Sequence, residues 1–73
     1  MMFDLGRAIN TYKAQTGLTN EDIASITSRS ATSVSQWVND KQEPSISTLI
    51  KMCSHSGITL SKFIKWGEWW KFY

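Results

Sequence analysis

Three breaks decide what this chain can fold into. Gly17, Pro44 and Gly57 interrupt the sequence, and between them the apolar residues recur at helical spacing. Leu5, Ile9 and Tyr12 form one stripe of a first helix, which Gly17 closes. Thr19 reads as the N-cap of a second helix, with Asp22 completing a short-armed capping box. Ile23, Ala24 and Ile26 face inward from it. The pattern breaks over residues 27–30, and Ser30 caps a third helix carrying Val34, Trp37 and Val38. Pro44 has no backbone N–H to continue a helix. Ser45 after it caps a fourth, with Leu49, Ile50, Met52 and Cys53 as its apolar side. Gly57 closes that helix and Thr59 opens a fifth, whose buried face is marked by Leu60, Phe63 and Ile64. Period-2 alternation is nowhere sustained, and no Asn-Gly or Asp-Gly hairpin turn occurs. The expected fold is all-α, built from five short helices.

Seventy-three residues make one domain, with 41% hydrophobic and 19% charged residues, the balance of an ordinary globular chain. A core this small leaves a stability margin of only ~3–5 kcal/mol unless something staples it. The single cysteine, Cys53, excludes an internal disulfide framework, and the single histidine, His55, leaves no tetrahedral zinc set. No apolar run of ~18 residues is present, and Met1-Met2-Phe3-Asp4 lacks the features of a secretory signal. A cytoplasmic location without membrane association is expected. Asp4, Glu21, Asp22 and Asp40 show no spacing suited to paired acid–base work, and no glycine loop for phosphate exists. The size suits a binding module better than an enzyme, and no cofactor or small-molecule effector is expected. Net charge is +2 and the isoelectric point is near 8.9, which by themselves name no partner.

The second and third helices carry the functional signal. The second of two short helices joined by a tight turn can lie in the DNA major groove while the first crosses the backbone. Its outward side must then be short and polar, because long apolar groups would be stranded in water and acids would repel phosphate. Ala31, Thr32, Ser33 and Gln36 meet that requirement, and between Asp22 and Asp40 the only charged residue is Arg29.

Thr19-Asn20-Glu21-Asp22-Ile23-Ala24, then residues 30–33, then Val34-Ser35-Gln36-Trp37-Val38-Asn39, and then Lys41 and Pro44 resemble the Cro/C1-type (XRE-like) helix-turn-helix family of phage repressors and transcriptional regulators. Residues 24–44 keep the family's spacing without a gap, and the resemblance covers residues 3–64. It implies a lambda-repressor-like DNA-binding domain with the helix-turn-helix at helices two and three. It also implies that double-stranded operator DNA is the partner and that the protein acts as a homodimer. Asn20 matches the family's polar residue that holds a phosphate at the start of helix two. Ala31, Thr32, Ser33 and Gln36 match the base-reading positions. Gln36 is suited to adenine N6/N7, and Ala31 or the Thr32 methyl to a thymine methyl. Arg29, Ser30, Asn39 and Lys41 match positions that contact the DNA backbone.

The sequence departs from the family in four places. Thr27 stands where an apolar residue is usual and Ser28 where glycine makes the turn, so a shifted turn is expected. Asp40 replaces the glycine usual after helix three. Lys13 and Val38 replace an Arg and a Glu that often pair. Ala31 and Thr32 stand where phage-type readers often place two glutamines, so base preference does not transfer.

Each residue singled out also has a plainer reading. Gln36 and Ser33 are alternatively solvated helix residues, and Trp37 belongs to the core by its spacing from Val34 rather than to a stacking site. Lys51, Lys62, Lys65 and Lys71 read as a solvated face, Cys53 as a small buried residue, and His55 as a surface residue near a helix C-terminus. The domain is set at residues 1–65, with residues 66–73 as an aromatic tail. In that tail Trp66, Trp69, Trp70 and Phe72 are assigned to dimerisation or packing back on the core, with a partner- or membrane-facing aromatic patch as a further reading, the membrane being disfavoured by Gly67 and the shortness of the run. A helical interaction module of antitoxin-like or adaptor type, using this tail, is the alternative to a DNA-binding regulator.

Overall fold

Every helix in this chain opens on a side-chain oxygen that accepts from a backbone N–H left without a partner inside the helix. In the computed structural model, which describes residues 3–39 and 41–68, these caps start α1 (Leu5–Thr16), α2 (Asn20–Thr27), α3 (Ala31–Val38), α4 (Ile46–His55) and α5 (Leu60–Gly67). No strand occurs among the described residues. Asp4 Oδ1 accepts from the Arg7 amide at 3.0 Å, Ser30 from Ser33 at 3.1 Å, Ser45 from Thr48 at 3.3 Å and Thr59 from Lys62 at 3.1 Å. At α2 the box is reciprocal: Thr19 Oγ1 accepts from the Asp22 amide at 3.2 Å while Asp22 Oδ2 accepts from the Thr19 amide at 2.9 Å. The Thr19 amide donating to it, and then the Thr19 hydroxyl beside it, hold the Asp22 carboxyl below the usual carboxylate range. Gly17 ends α1 in the left-handed region, at φ 75°.

The helices converge on one core. Ala8, Ile9 and Tyr12 of α1, Ile23 of α2, Val34 of α3, Met52 of α4 and Phe63 of α5 are all completely buried. Tyr12 is the hub. Its ring meets Phe63 edge-on at 6.2 Å, and its hydroxyl donates to the Met52 carbonyl at 2.9 Å and lies 2.7 Å from Ser56 Oγ. Helix α1 packs on α5 and α3, and α2 packs on α3 and α4. Gly6 permits the α1–α3 approach, since a Cβ there would overlap the Val38 carbonyl.

Two sequence expectations change. Ile50 was placed on the inner side of α4, but the structure leaves it exposed. The buried face of α4 is Thr48, Leu49, Met52 and Cys53, and Ile50 falls outside its edge with Ile46. Ile26 was expected to face inward. It sits half-buried at the edge of the core, while Thr27, one turn on from Ile23, goes inside. Trp66, assigned to the tail, lies on α5 and meets the Phe63 ring edge-on at 6.4 Å. Trp69, Trp70, Lys71 and Phe72 lie outside the described residues. Among the described residues no helix is long and apolar enough to cross a membrane.

Candidate nucleic-acid interface

The orientation of α3 follows from two residues. Val34 and Trp37 point into the core, so the opposite side of a helix this short must face out. That side carries Thr32, which is exposed, and Ala31, Ser33, Ser35 and Gln36, which are half-buried. No charged residue lies on α3. An α-helix with its side chains is ~10–12 Å across, which matches the ~12 Å width of the major groove.

The turn before α3 sets the angle at which it is presented. Ser28 adopts φ 58° and ψ 37°, the left-handed conformation that glycine would take there. The Arg29 amide then bonds back to the Ala24 carbonyl at 2.9 Å. The shifted turn expected from the missing glycine is therefore absent. Thr27 also fills the place of the missing apolar residue. It is 3% exposed, and its hydroxyl donates to the Ile23 carbonyl at 2.8 Å, which satisfies the buried oxygen.

The individual groups differ in how free they are. Ser30 caps α3 and its Oγ lies 3.1 Å from Ser33 Oγ, so both hydroxyls are engaged at the helix start. Among the described residues the Gln36 side-chain amide makes no hydrogen bond, and Thr32 stands in solvent. Asn39 closes α3, with Nδ2 donating to the Ser35 carbonyl at 2.9 Å. The Lys41 amide bonds to the Gln36 carbonyl at 2.9 Å, tethering an exposed lysine to the end of the same helix. Asp40 lies outside the described residues. At the start of α2, Asn20 is not needed as a cap, because Thr19 serves; its side-chain oxygen is buried and accepts no hydrogen bond.

One feature was missed in the sequence. Arg29 and Ser33 share a cleft of about 150 Å³ with Gln42, Glu43, Pro44 and Ser45. The segment before α4 thus flanks the start of α3. Pro44 and Ser45 were read as a stop and a cap, and only the tertiary fold brings them beside α3. Elsewhere the plain readings hold. Cys53 is buried and its thiol is pushed up by that burial, away from nucleophilic use. His55 is exposed in the last turn of α4. Among the described residues no group of three or more His, Cys, Asp or Glu could hold a metal.

Two short helices locked by a left-handed turn, the second held by two core residues and uncharged on its outer side, define a helix-turn-helix DNA-binding domain. The chain belongs to the helix-turn-helix family HTH_3, whose model matches residues 9–63, and it is thereby a DNA-binding transcriptional regulator. In fold it is similar to the clp gene regulator ClgR from C. glutamicum, with a TM-score of 0.76 and 22% identity over 86% of this chain and 81% of that one. It is also similar to the hypothetical transcription factor NHTF from Neisseria, with a TM-score of 0.69 and 17% identity over 88% and 80% of the two chains. No curated protein matches the chain.

Proposed function

We propose that this protein reads a specific operator in double-stranded DNA and occupies it as a homodimer, in the manner of phage or prophage repressors and Cro-like regulators. The observation that carries the reading is the outer side of α3, uncharged and polar, with the Gln36 side-chain amide bonded to no other described residue. Ala31, Thr32, Ser33 and Gln36 meet base edges in this reading. Asn20, Arg29, Ser30, Asn39 and Lys41 meet the phosphate backbone and set the register. The described protomer measures 35 × 27 × 21 Å. A protomer of this size leaves room for two copies whose α3 helices lie about one DNA turn (~34–36 Å) apart, the spacing of paired half-sites that this reading requires.

Selection of bound duplexes from a random pool tests this directly. The expected product is a two-fold symmetric site with half-sites about one turn apart. Gln36→Ala should cost ~1–3 kcal/mol and relax the preference at a single base pair of each half-site, whereas Lys41→Ala should weaken all duplexes alike. Recovery of no preferred duplex at moderate salt would sink the operator reading and leave the interaction-module alternative.

A further inference from the structure

The cleft of about 150 Å³ between the start of α3 and the segment before α4 holds one cation and one acid. Arg29 and Ser33 line it from α3, and Gln42, Glu43 and Ser45 from the segment before α4. Arg29 and Glu43 are both exposed, and neither makes an ion pair with another described residue. The two serine hydroxyls are already engaged: Ser33 Oγ lies 3.1 Å from Ser30 Oγ, and Ser45 Oγ lies 2.9 Å from Thr48 Oγ1. The two opposite charges are thus left to act on whatever enters the cleft.

The backbone that carries the acid is held from both sides. Behind it, the Lys41 amide bonds to the Gln36 carbonyl of α3 at 2.9 Å. Ahead of it, Ser45 caps α4 by accepting from the Thr48 amide at 3.3 Å. Pro44 disfavours a helical backbone at Glu43 itself, which keeps the short span extended. Glu43 therefore stands on a strap anchored at α3 and α4. A compact cleft of this volume is narrower than the ~8 Å over which physiological salt screens a charge. A DNA phosphate drawn to Arg29 consequently enters the field of Glu43.

We infer that Glu43 is a charge determinant of DNA binding: its carboxylate repels the phosphate that Arg29 attracts, and it weakens the hold on every duplex alike. The inference rests on the reading that places α3 against DNA. Because the repulsion acts on the sugar-phosphate backbone, it lowers the sequence-independent part of the affinity and leaves the ranking of duplexes to the outer side of α3. Exposed charges at such separations interact modestly, so the acid is expected to weaken binding about two- to fivefold for each bound protomer.

Fluorescence anisotropy titrations of the full chain test this, with the wild type and Glu43→Gln each measured on two duplexes of different sequence. One is a selected duplex and the other unrelated; if selection yields no preferred site, the operator reading fails, and two unrelated duplexes still test Glu43. At low salt Glu43→Gln should tighten both about two- to fivefold per protomer, and the gain should shrink as added salt shortens the screening length. Ser54→Lys is the control. It adds the same unit of charge at an exposed position near the far end of α4, ~13 Å along the helix from Ser45, and should give a much smaller gain. An equal gain from Ser54→Lys would assign the effect to net charge and overturn the inference. Unchanged or weaker binding by Glu43→Gln overturns it as well. A change confined to one duplex also overturns it, since Glu43 would then be reading a base rather than repelling phosphate.

Discussion

Tyr12 shows how much of so small a protein can depend on one atom. Met52 lies within the last four residues of α4, whose carbonyls lack a donor from a following turn, and the Tyr12 hydroxyl supplies one from 40 residues away in sequence. The hydroxyl is buried and pairs again with Ser56, so removing it strands a carbonyl as well as breaking two bonds. Tyr12→Phe should therefore cost ~1–3 kcal/mol in urea unfolding, a large part of a margin of ~3–5 kcal/mol. The pH dependence carries a second signature. Burial pushes the Tyr12 phenol up, with Ser56 opposing and Cys53 adding to the shift, and burial likewise raises the Cys53 thiol. A raised folded-state pKa means that the folded chain holds these protons more tightly than the unfolded chain. The stability they contribute is full below their ordinary values, near pH 8.5–10, and is lost as pH rises through the shifted ones. The melting-temperature gap between the wild type and Tyr12→Phe should accordingly narrow above about pH 10. A gap that stays constant into the alkaline range would exclude the phenol as the titrating group.

At the scale of the elements, the chain's local signals were easy to read and its two-sided ones were not. Thr19, Ser30, Ser45 and Thr59 announce four helix starts, because a short oxygen-bearing side chain before a periodic segment has few other uses, and all four act as caps. The cap at Asp4 carries the same signal, which went unread. Ile50 was misplaced because hydrophobicity ranks it with Leu49 and Met52, while only the packing of α4 against α2 and α5 decides which side is inside. Helix α3 was legible for the converse reason: Val34 and Trp37 fix its inner side and leave the polar residues nowhere else to go. Its neighbours Gln42, Glu43 and Ser45 were not, since their place beside Arg29 depends on the path between α3 and α4. The turn is the instructive case. Serine at a glycine position suggests a changed geometry, yet the bond from the Arg29 amide to Ala24 and the burial of Thr27 on one side and Val34 on the other hold Ser28 in the left-handed region. If the packing imposes that conformation against the preference of the residue, Ser28→Gly should leave DNA binding unchanged and raise stability by up to ~1 kcal/mol. A loss of stability would show instead that the serine side chain supports the turn.

The whole molecule carries a net charge of +2, and the fold divides its exposed cations between the ends of α3 and the other helices. Among the exposed cations, Arg29 precedes α3 and Lys41 follows it, whereas Arg7 lies on α1, Lys51 on α4 and Lys62 and Lys65 on α5, where Lys62 sits 5.9 Å from the Trp66 ring. The groups proposed to meet the backbone at the helix starts, Asn20 and Ser30, are neutral, and their contacts would displace no full counterion. Each phosphate neutralised contributes a slope of about −0.9 in log affinity against log salt. Two cations per protomer then predict a slope of about −2 per bound protomer and about −4 for a dimer. Lys41→Ala should flatten the slope by about 1 per protomer while leaving the ranking of duplexes intact. The measurement is a filter or fluorescence titration at several salt concentrations on one selected duplex and one unrelated duplex. A dimer slope steeper than about −7 would mean that the lysines of α4 and α5 join the footprint, and would place the contact surface well beyond α2 and α3. In the proposed complex a slope this shallow leaves discrimination between duplexes chiefly to the uncharged side of α3. Gln36→Ala should then reduce the ratio of specific to non-specific affinity by a similar factor at every salt concentration, because no counterion is released on making that contact.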